Sequence, residues 1–316
     1  MALPANTFTT FAAVGNREDL SDEIYMISPT DTPFMTMAAR EKASAVFHEW
    51  QTDSLASVDT ANANLQGDDA VTDSTSPTVR LGNYTQISDK VPRVTNTQIA
   101  VEHAGRDDEM DYQVMKKGKE LKRDMESILV GTNQSRVAGN STTAPKLASI
   151  LSWIKTNTDK TGSDPATADG TATRTDGTQR AFTEAMLKNV IKSAYDSGGE
   201  PSIIMLGSFN KQAFSTFTGR STPTEDAKSR TIVAAVDYYD SDFGKMKVVP
   251  NRFMRARDCL VLQSDMWAVA YLPGRQFMSQ DLAVTGDSRR KQLLSEYTLV
   301  ARNEAASGGV FDLTTS

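Results

Sequence analysis

The chain has 316 residues, with 34 basic and 40 acidic side chains, a net charge of −6 and 39% hydrophobic residues. This length allows two domains or one large domain, and the acidic balance argues against nonspecific binding of duplex DNA through a basic surface. A single cysteine excludes an intramolecular disulfide, and two histidines are too few for most zinc sites and catalytic triads. The chain lacks the basic and apolar regions of a signal peptide and an apolar run long enough for a membrane span.

The first 40 residues are predicted to form an arm. Residues 16–27 favour a short helix with acidic residues in its first turn. Its apolar face comprises Leu20, Ile24 and Ile27. Prolines at positions 29 and 33 end the helix, because a proline pushes the residue before it out of the helical region. Such a short helix is not stable alone, so we expect it to lie on another surface of this subunit or of a neighbour.

Residues 41–98 are predicted to form two stretches of strand joined by a long polar excursion. Residues 46–51 and 78–94 have the β propensity and partial alternation of strands. Between them, residues 53–78 are rich in Asp, Asn, Ser, Thr and Ala and offer little to bury. A loop of this length is unusual inside a compact domain, so we expect it to contact something outside its own domain.

Residues 104–131 are the strongest predicted helix. Acidic residues at 107–109 favour its start through the helix dipole, and Gly131 favours its end. Apolar residues recur at helical spacing between charged ones: Met110, Val114, Leu121, Met125, Ile128 and Leu129. We expect Leu121 and Met125 to face a sheet and Lys116 to lie on the opposite side.

Residues 156–180 contain almost no aliphatic side chain larger than Ala and are predicted to form an exposed, mobile loop or weak hairpin. The following part is predicted to alternate helices with strands. The helices are at 184–196 and 208–217, and the strands at 202–206, 231–239, 245–249, 259–263, 267–272 and 291–302. In the last strand Leu293, Tyr297 and Leu299 share one face. A parallel βαβ fold is not expected, and the predicted class is α+β in discontinuous pieces.

Candidate chemical sites are few, and none is assigned as catalytic, cofactor-binding or metal-binding. Cys259 lies in an apolar strand and is interpreted as a buried, inert thiol, and His48 and His103 are interpreted as structural. The pairs Asp68–Asp69 and Asp107–Asp108 could act as paired carboxylates or hold a cation, but a polar loop and a helix start explain them. Three basic residues, 289–291, are a weak candidate for a nucleic-acid contact or an inter-subunit salt bridge.

Several strings in residues 28–156 occur in an order and spacing that carry a resemblance to a known family. They are Asp31-Thr32-Pro33-Phe34, His48-Glu49-Trp50-Gln51-Thr52-Asp53-Ser54-Leu55, Gly82-Asn83-Tyr84-Thr85-Gln86-Ile87, Ala104-Gly105-Arg106 through Tyr112-Gln113, Glu120-Leu121-Lys122-Arg123-Asp124-Met125-Glu126 and Trp153-Ile154-Lys155. With them the chain resembles tailed-bacteriophage major capsid proteins of the Hong Kong 97-type fold, most closely a group found in several podoviruses and siphoviruses. The later half resembles these proteins only in its sequence of elements.

The resemblance implies a domain organisation and an absence of catalysis. It implies an N-terminal arm (1–40), an extended loop (41–98), a peripheral domain (99–180) with a spine helix at about 104–131 and the polar loop 156–180, an axial domain (181–275) and a return to the peripheral domain (276–316). No cofactor is implied. The covalent lysine–asparagine cross-link of some relatives needs a lysine in the extended loop, and because only Lys42 and Lys90 lie near its base, we do not predict one.

The implied function is that of a major capsid protein, which assembles as hexamers and pentamers into an icosahedral shell around double-stranded DNA. The expected location is the virion, after assembly in the cytoplasm of the bacterial host. Because the arm begins almost at Met1, scaffolding is expected to come from a separate protein, with a portal and possibly a decoration protein as further partners. DNA contact should be weak and nonspecific. Two alternatives stay open: another virion component, such as a tail-tube or adaptor ring protein, and a hydrolase that uses an Asp pair.

Overall fold

A computed structural model of the chain describes residues 29–67, 69, 72–73, 75–101, 108–217 and 238–315. The helices in these ranges are α1 (Pro33–Met37), α2 (Asn96–Ala100), α3 (Glu109–Val130), α4 (Glu184–Asp196) and α5 (Ser208–Ser215). The strands are β1 (Ala39–Lys42), β2 (Phe47–Thr52), β3 (Val79–Tyr84), β4 (Gln86–Lys90), β5 (Arg93–Thr95), β6 (Asn157–Asp159), β7 (Ile203–Leu206), β8 (Tyr238–Ser241), β9 (Gly244–Pro250), β10 (Cys259–Leu262), β11 (Trp267–Tyr271), β12 (Met278–Asp281), β13 (Ser288–Ala301) and β14 (Gly308–Val310).

Helix α3 confirms the predicted long helix over its described residues. The Asp108 carboxylate accepts hydrogen bonds from the backbone N–H groups of Met110 (2.6 Å) and Asp111 (3.2 Å), which satisfies two groups that the first helical turn leaves unpaired. At the other end, the N–H of Gly131 donates to the carbonyl of Ser127. The helix therefore ends at Val130, directly before Gly131, as predicted. Leu121 is buried, as expected.

Strand β13 is the centre of the first sheet. It pairs antiparallel with β11, β12, β4 and β5, and β1 extends the sheet as a parallel neighbour of β11. Helix α3 packs on this sheet, and large side chains fill the space between them. We expected β13 to alternate between a buried and an exposed face. Instead, every residue from Leu293 to Ala301 is buried, on both faces of the strand. Both faces are covered by other parts of the chain.

The second sheet has six strands in the order β6, β14, β10, β7, β9 and β8. Helices α4 and α5 contribute apolar residues such as Leu187 and Phe214 to its core. Strands β7 and β9 pair in parallel, with α5 and β8 between them in the described part of the chain. Most other pairings in the two sheets are antiparallel, so the predicted α+β class is confirmed. The apolar run at 203–206 fits a strand covered on both faces, which is what a parallel pair needs.

Of the two alternatives predicted for 156–180, the weak hairpin is closer to the structure than the exposed loop. Residues 157–159 form β6 at the edge of the second sheet, where they pair in parallel with β14. Ser163 and Thr175 exchange backbone hydrogen bonds at 2.9 Å, so part of the segment is hairpin-like. Arg174 is only 3% exposed. The segment is therefore packed through polar contacts rather than through aliphatic side chains.

Two sequence predictions fall outside the described residues: the helix at 16–27 and most of the strand at 231–239, of which only β8 is described from Tyr238 onward. The strand pairing also cuts across the predicted domain boundaries. Strand β11 lies in the sheet of β13, although its residues were assigned to the axial domain. Strands β6 and β14 lie in the second sheet, although their residues were assigned to the peripheral domain.

Candidate functional site

The most prominent surface element is a two-stranded projection made by β2 and β3, which pair antiparallel from Phe47↔Tyr84 to Thr52↔Val79. We call it the β2–β3 arm, to distinguish it from the N-terminal arm of residues 1–40. The 26 residues that connect the strands, 53–78, are exposed wherever they are described. Three apolar side chains there point into solvent: Leu55 is 99% exposed, Val58 90% and Leu65 80%. An aliphatic side chain gains free energy when it leaves water, so this tip offers contacts that its own subunit does not satisfy.

Aromatic contacts fix the base of this arm to the body of the subunit. The rings of Phe47 and Tyr84 lie 4.6 Å apart, and the Trp50 ring lies 5.4 Å from that of Trp153. The guanidinium of Arg136 lies 5.3 Å from the centre of the Phe47 ring and donates to the carbonyl of Gly82. Offset aromatic pairs and cation–π contacts of this kind are directional. They hold the two strands at a defined angle to the body.

A fully buried amide adds a second anchor. Asn83 Nδ2 donates to the carbonyl oxygens of Leu299 (2.9 Å) and Ala148 (3.3 Å), while its Oδ1 accepts from the N–H of Ala148 (2.8 Å). One side chain of β3 thus joins β13 to the segment that precedes Trp153. Because a buried amide without partners is costly, these three bonds specify one position of the arm base.

A buried carboxylate joins three distant parts of the chain. Glu126 on α3 is completely buried. Its Oε1 accepts from the N–H of Phe34 and from Asn251 Nδ2, both at 2.7 Å, and its Oε2 accepts from the N–H of Met35 at 2.9 Å. Burial raises the pKa of Glu126, although these three donors favour the charged form. The joint ties α1 and the turn after β9 to the long helix.

A network of charges holds the segment 157–180 against the end of the chain. Arg174 donates to Asp164 and to the carbonyl of Ile154, both at 2.8 Å, and its guanidinium lies 3.4 Å from the centre of the Phe311 ring. Burial lowers the pKa of Arg174 to about 10. This value leaves the side chain charged at neutral pH.

Asp312 is the main acceptor that holds the segment 157–180 against the end of the chain. Its carboxylate accepts from the N–H groups of Thr161 (3.1 Å), Gly162 (2.8 Å) and Gly177 (2.8 Å), and from Arg257 Nη2 (2.9 Å). Burial works against ionisation of this carboxyl, but the backbone donors outweigh burial, so the pKa of Asp312 is lowered. Asp312 therefore binds both sides of the hairpin-like segment 157–180, which we call the polar hairpin.

The sequence candidates that the structure describes have separate surroundings, and the others lie outside the described residues. Cys259 is completely buried, as predicted, and burial raises the pKa of its thiol, which disfavours the reactive thiolate. His48 Nε2 lies 4.0 Å from Glu41 Oε2 at the base of the arm. His103, Asp68 and Asp107 lie outside the described residues, and Asp108 serves as the helix cap.

The basic run 289–291 lies on β13, and two of its members have partners in the same subunit. Arg290 Nη2 donates to the carbonyl of Ala283 at 2.9 Å, and Lys291 Nζ lies 3.7 Å from Asp111 Oδ1. At the base of the extended loop, Lys90 Nζ lies 2.6 Å from Asp124 Oδ2 on α3, and Lys42 is exposed at the end of β1. None of these groups forms a catalytic constellation with another.

Within the described ranges, no cluster of three or more His, Cys, Asp or Glu residues could hold a metal ion. No helix of the same ranges combines the length and apolar character of a membrane span. Sequence reasoning missed Asn83, Glu126, Arg174 and Asp312, which carry the polar joints. Only Asp312 gave a signal, since it stands alone in the apolar run Val310-Phe311-Asp312-Leu313.

One sequence relative and two solved structures show what this chain is similar to. Over 96% of each chain, the sequence is 29% identical to the "Major capsid protein" of Escherichia phage Phieco32. The structure is similar to the capsid of a native GTA particle, with a TM-score of 0.65, 12% identity and coverage of 96% of this chain and 98% of that chain. It is also similar to a capsid chain of cyanophage A-1(L), with a TM-score of 0.64, 13% identity and coverage of 98% and 99%.

The structural likenesses confirm the fold that the sequence resemblance implied. At the level of sequence, residues 3–314 match the family described as SU10 major capsid protein. The match includes the arm base, α3, the polar hairpin and the C-terminal strands. The chain therefore belongs to the SU10 major capsid protein family.

Proposed function

We propose that this capsid protein assembles as hexamers and pentamers that close into an icosahedral shell around double-stranded DNA. The observation that carries the proposal is the contrast within the β2–β3 arm, whose base is fixed by buried contacts while Leu55, Val58 and Leu65 at its tip are almost fully exposed. A rigid projection with unburied apolar side chains suits contact with a neighbouring copy. Repeated contacts of one type between copies produce a closed assembly when the rotation between them closes.

The domain organisation that fits this proposal follows the two sheets. We assign residues 1–40 to the N-terminal arm. The extended loop comprises the β2–β3 arm with its connecting residues 53–78. The peripheral domain comprises α3 with the sheet around β13, and the axial domain comprises the second sheet with α4 and α5. Strands β6 and β14 go with the axial domain in this assignment because they pair with its strands. Glu126 then lies at the junction of the N-terminal arm and both domains.

Electron microscopy of negatively stained particles tests the proposal, after co-expression of the chain with candidate scaffolding, portal and decoration proteins of the same phage. Closed polyhedral shells are the expected result. Tubes or single rings would contradict it and favour a tail-tube or adaptor ring component, and a stable monomer with no particles under these conditions would also contradict it. Expression of the chain alone tests the inference that a separate scaffolding protein is needed. Regular shells assembled by the chain alone would contradict that inference.

We infer a structural role without catalysis, and only weak contact with the packaged DNA. DNA must slide during packaging, and tight phosphate contacts would oppose this movement. In the basic run 289–291, Lys291 lies beside the carboxylate of Asp111, and the chain carries a net charge of −6, so we expect DNA binding to release few counterions. At about 150 mM salt, the free subunit should bind duplex DNA more weakly than the ~10⁻⁴–10⁻⁶ M of ordinary nonspecific binders.

A gel-shift titration with duplex DNA measures this affinity. Arg289→Ala should change the affinity very little, and Lys146→Ala serves as the control for loss of one positive charge elsewhere. Micromolar, salt-sensitive binding that Arg289→Ala alone weakens would contradict the inference. Such a result would favour a dedicated DNA contact at β13.

A further inference from the structure

Two buried aspartates lie in the same cluster of arginines but differ in their hydrogen bonds. Asp312 is 1% exposed, and its carboxylate accepts four hydrogen bonds. Asp258, in the turn before β10, is also 1% exposed. Both of its carboxylate oxygens are buried, and neither accepts a hydrogen bond from a residue in the described ranges. Because a buried carboxylate without donors is costly to ionise, this position favours the neutral form of Asp258.

The charged groups around Asp258 come from two elements. Its own turn supplies Arg257 and Arg255, whose Nε lies 3.3 Å from Asp258 Oδ2. The polar hairpin supplies Arg174 and Asp176. Burial raises the pKa of Asp258 to about 7, since the three arginines only partly offset burial and the charge of Asp176 adds to it. The carboxyl group of Asp258 therefore changes its charge near neutral pH.

Arg255 is shared between two aspartates. Its Nη2 lies 2.5 Å from Asp176 Oδ1, while its Nε is the group beside Asp258. Arg257 holds the other oxygen of Asp176 at 3.2 Å and binds Asp312 from the end of the chain at 2.9 Å. The two arginines thus join the turn before β10 to the polar hairpin. An ionised Asp258 competes with Asp176 for Arg255, whereas a neutral Asp258 leaves Arg255 to the hairpin.

We propose that Asp258 is a proton-binding site that controls how firmly the polar hairpin is held against the turn before β10. With the proton bound, Arg255 stays on Asp176 and the hairpin is closed. Without the proton, the charged carboxylate draws Arg255 away, and the hairpin opens more often. The neighbouring thiol of Cys259 takes no part, because burial raises its pKa. The site lies within one subunit, so the proposal does not depend on the proposed assembly.

The pH dependence has a definite sign. The ordinary pKa of aspartate in an unfolded chain is about 3.9, and the folded value of Asp258 is about 7. Stabilisation by the bound proton is therefore fully present below about pH 3.9 and is lost as pH rises through about 7. Asp312 has the opposite sign, because its lowered pKa removes stabilisation only as pH falls. Measurements above pH 5 therefore isolate Asp258 from Asp312.

Urea unfolding of the unassembled, full-length subunit between pH 5 and pH 9 tests the site. Asp258→Asn keeps the size of the side chain but cannot ionise. Relative to this variant, the unfolding equilibrium constant of the native protein should rise about a hundredfold over the range, since each unit of pKa difference is a factor of ten. The matched control is Asp281→Asn, an exposed aspartate on β12 of the other sheet. Its ratio to the native protein should stay constant.

Hydrogen exchange followed by mass spectrometry locates the effect in the molecule. After correction for the intrinsic pH dependence of exchange, peptides from residues 161–177 should lose protection severalfold between pH 6 and pH 8 in the native protein. The same peptides should keep their protection in Asp258→Asn. Peptides from α3, which packs on the first sheet, serve as the internal reference and should change in neither protein.

Two further variants should move the midpoint of the pH dependence in opposite directions. Arg255→Gln removes a charge that favours ionisation of Asp258 and should raise the midpoint, whereas Asp176→Asn removes a charge that opposes it and should lower the midpoint. These shifts decide the question even if Asp258→Asn does not fold. Equal pH dependence in the native protein and Asp258→Asn would overturn the inference. Constant protection of residues 161–177, or a midpoint that neither variant moves, would overturn it as well.

Discussion

Residues 53–78 and 156–180 are similar as sequence, since both are long, polar and poor in aliphatic side chains, but they differ as structure. The first is exposed wherever it is described and carries Leu55 with 99% of its side chain in solvent. The second contains a sheet strand, a hairpin-like pairing and the buried Arg174. Composition alone does not separate a packed polar segment from an exposed one. The difference depends on partners elsewhere in the chain.

The partners of 156–180 are charged groups about 135 to 150 residues away, above all Asp312 with its four donors. Buried backbone N–H groups must be hydrogen-bonded, and this carboxylate satisfies three of them at once. The described residues of the tip 53–78 have mainly local contacts, such as the bond from the N–H of Ala61 to Asp59. Changes to the contacts of 156–180 should therefore lower the unfolding free energy of the subunit more than changes in or beside 53–78.

The largest effect should come from Arg174→Met. It removes one of the two cationic partners of Asp164, leaving Lys160, and the donor to the carbonyl of Ile154. Breaking a buried ion pair by removing one partner costs about 3–5 kcal/mol. Urea unfolding of the unassembled subunit measures it. The control is Arg80→Met in the extended loop, whose exposed pair with Glu49 should contribute about 1 kcal/mol at most. Equal losses from both would show that the packing around Arg174 does not depend on its charge.

A pair of glycines with positive φ gives the next comparison. A Cβ on Gly170 (φ 78°) would lie 2.8 Å from Ala148 Cβ and 3.0 Å from Trp153 Cζ2, whereas a Cβ on Gly67 (φ 89°) meets no described atom within 4 Å. Gly170→Ala should destabilise the subunit by about 2–4 kcal/mol, from backbone strain and overpacking together. Gly67→Ala should cost about 1 kcal/mol or less, because an exposed loop can relax. Thermal and urea unfolding of both variants would reveal the ranking, and the reverse order would refute it.

Asp312→Asn should have a smaller, pH-dependent effect of about 1–3 kcal/mol, since it keeps a hydrogen-bond acceptor but loses the charge. The folded state lowers the pKa of Asp312, so its ionised form stabilises the fold. This stabilisation is fully present above the ordinary Asp pKa of about 3.9 and is lost as pH falls through the lower folded value. The difference in unfolding free energy between the two proteins should therefore shrink below about pH 4. A difference that stays constant through this range would contradict the role of the charge.

The smallest effect on the subunit should come from deletion of residues 57–76, which shortens the connection from 26 to six residues and should raise the unfolding free energy by about 1 kcal/mol, because a shorter loop costs less entropy to close. Under the proposed function the same deletion should abolish regular shells, as judged by electron microscopy. Leu55→Ser with Val58→Ser and Leu65→Ser keeps the loop length and should weaken assembly through loss of apolar contacts alone. Normal shells from the deletion variant would show that the loop does not join subunits.

Sequence patterns predicted what depends on local periodicity. Most of the α3 helix, α4 and most strands of the second half follow from spacing and from turn residues, whereas the Asp108 cap was not predicted. The polar joints could not be predicted, because each depends on groups far apart in the chain, such as Glu126 with Phe34 and Asn251. The parallel pairing of β7 with β9 was missed because an apolar run of four residues does not specify its neighbours. The family resemblance supplied the architecture that local patterns left open.

The central position of β13 has a consequence for the synthesis of the protein. Leu293 of this strand pairs with Lys90, about 200 residues earlier in the chain. A ribosome adding 5–20 residues per second needs ~10–40 s to make that stretch. Until β13 emerges, strands β4 and β5 have an unpaired edge and the apolar face of α3 lacks its sheet, so the nascent chain presents surfaces that bind chaperones or other nascent chains. Completion of this one strand allows the first half of the molecule to fold.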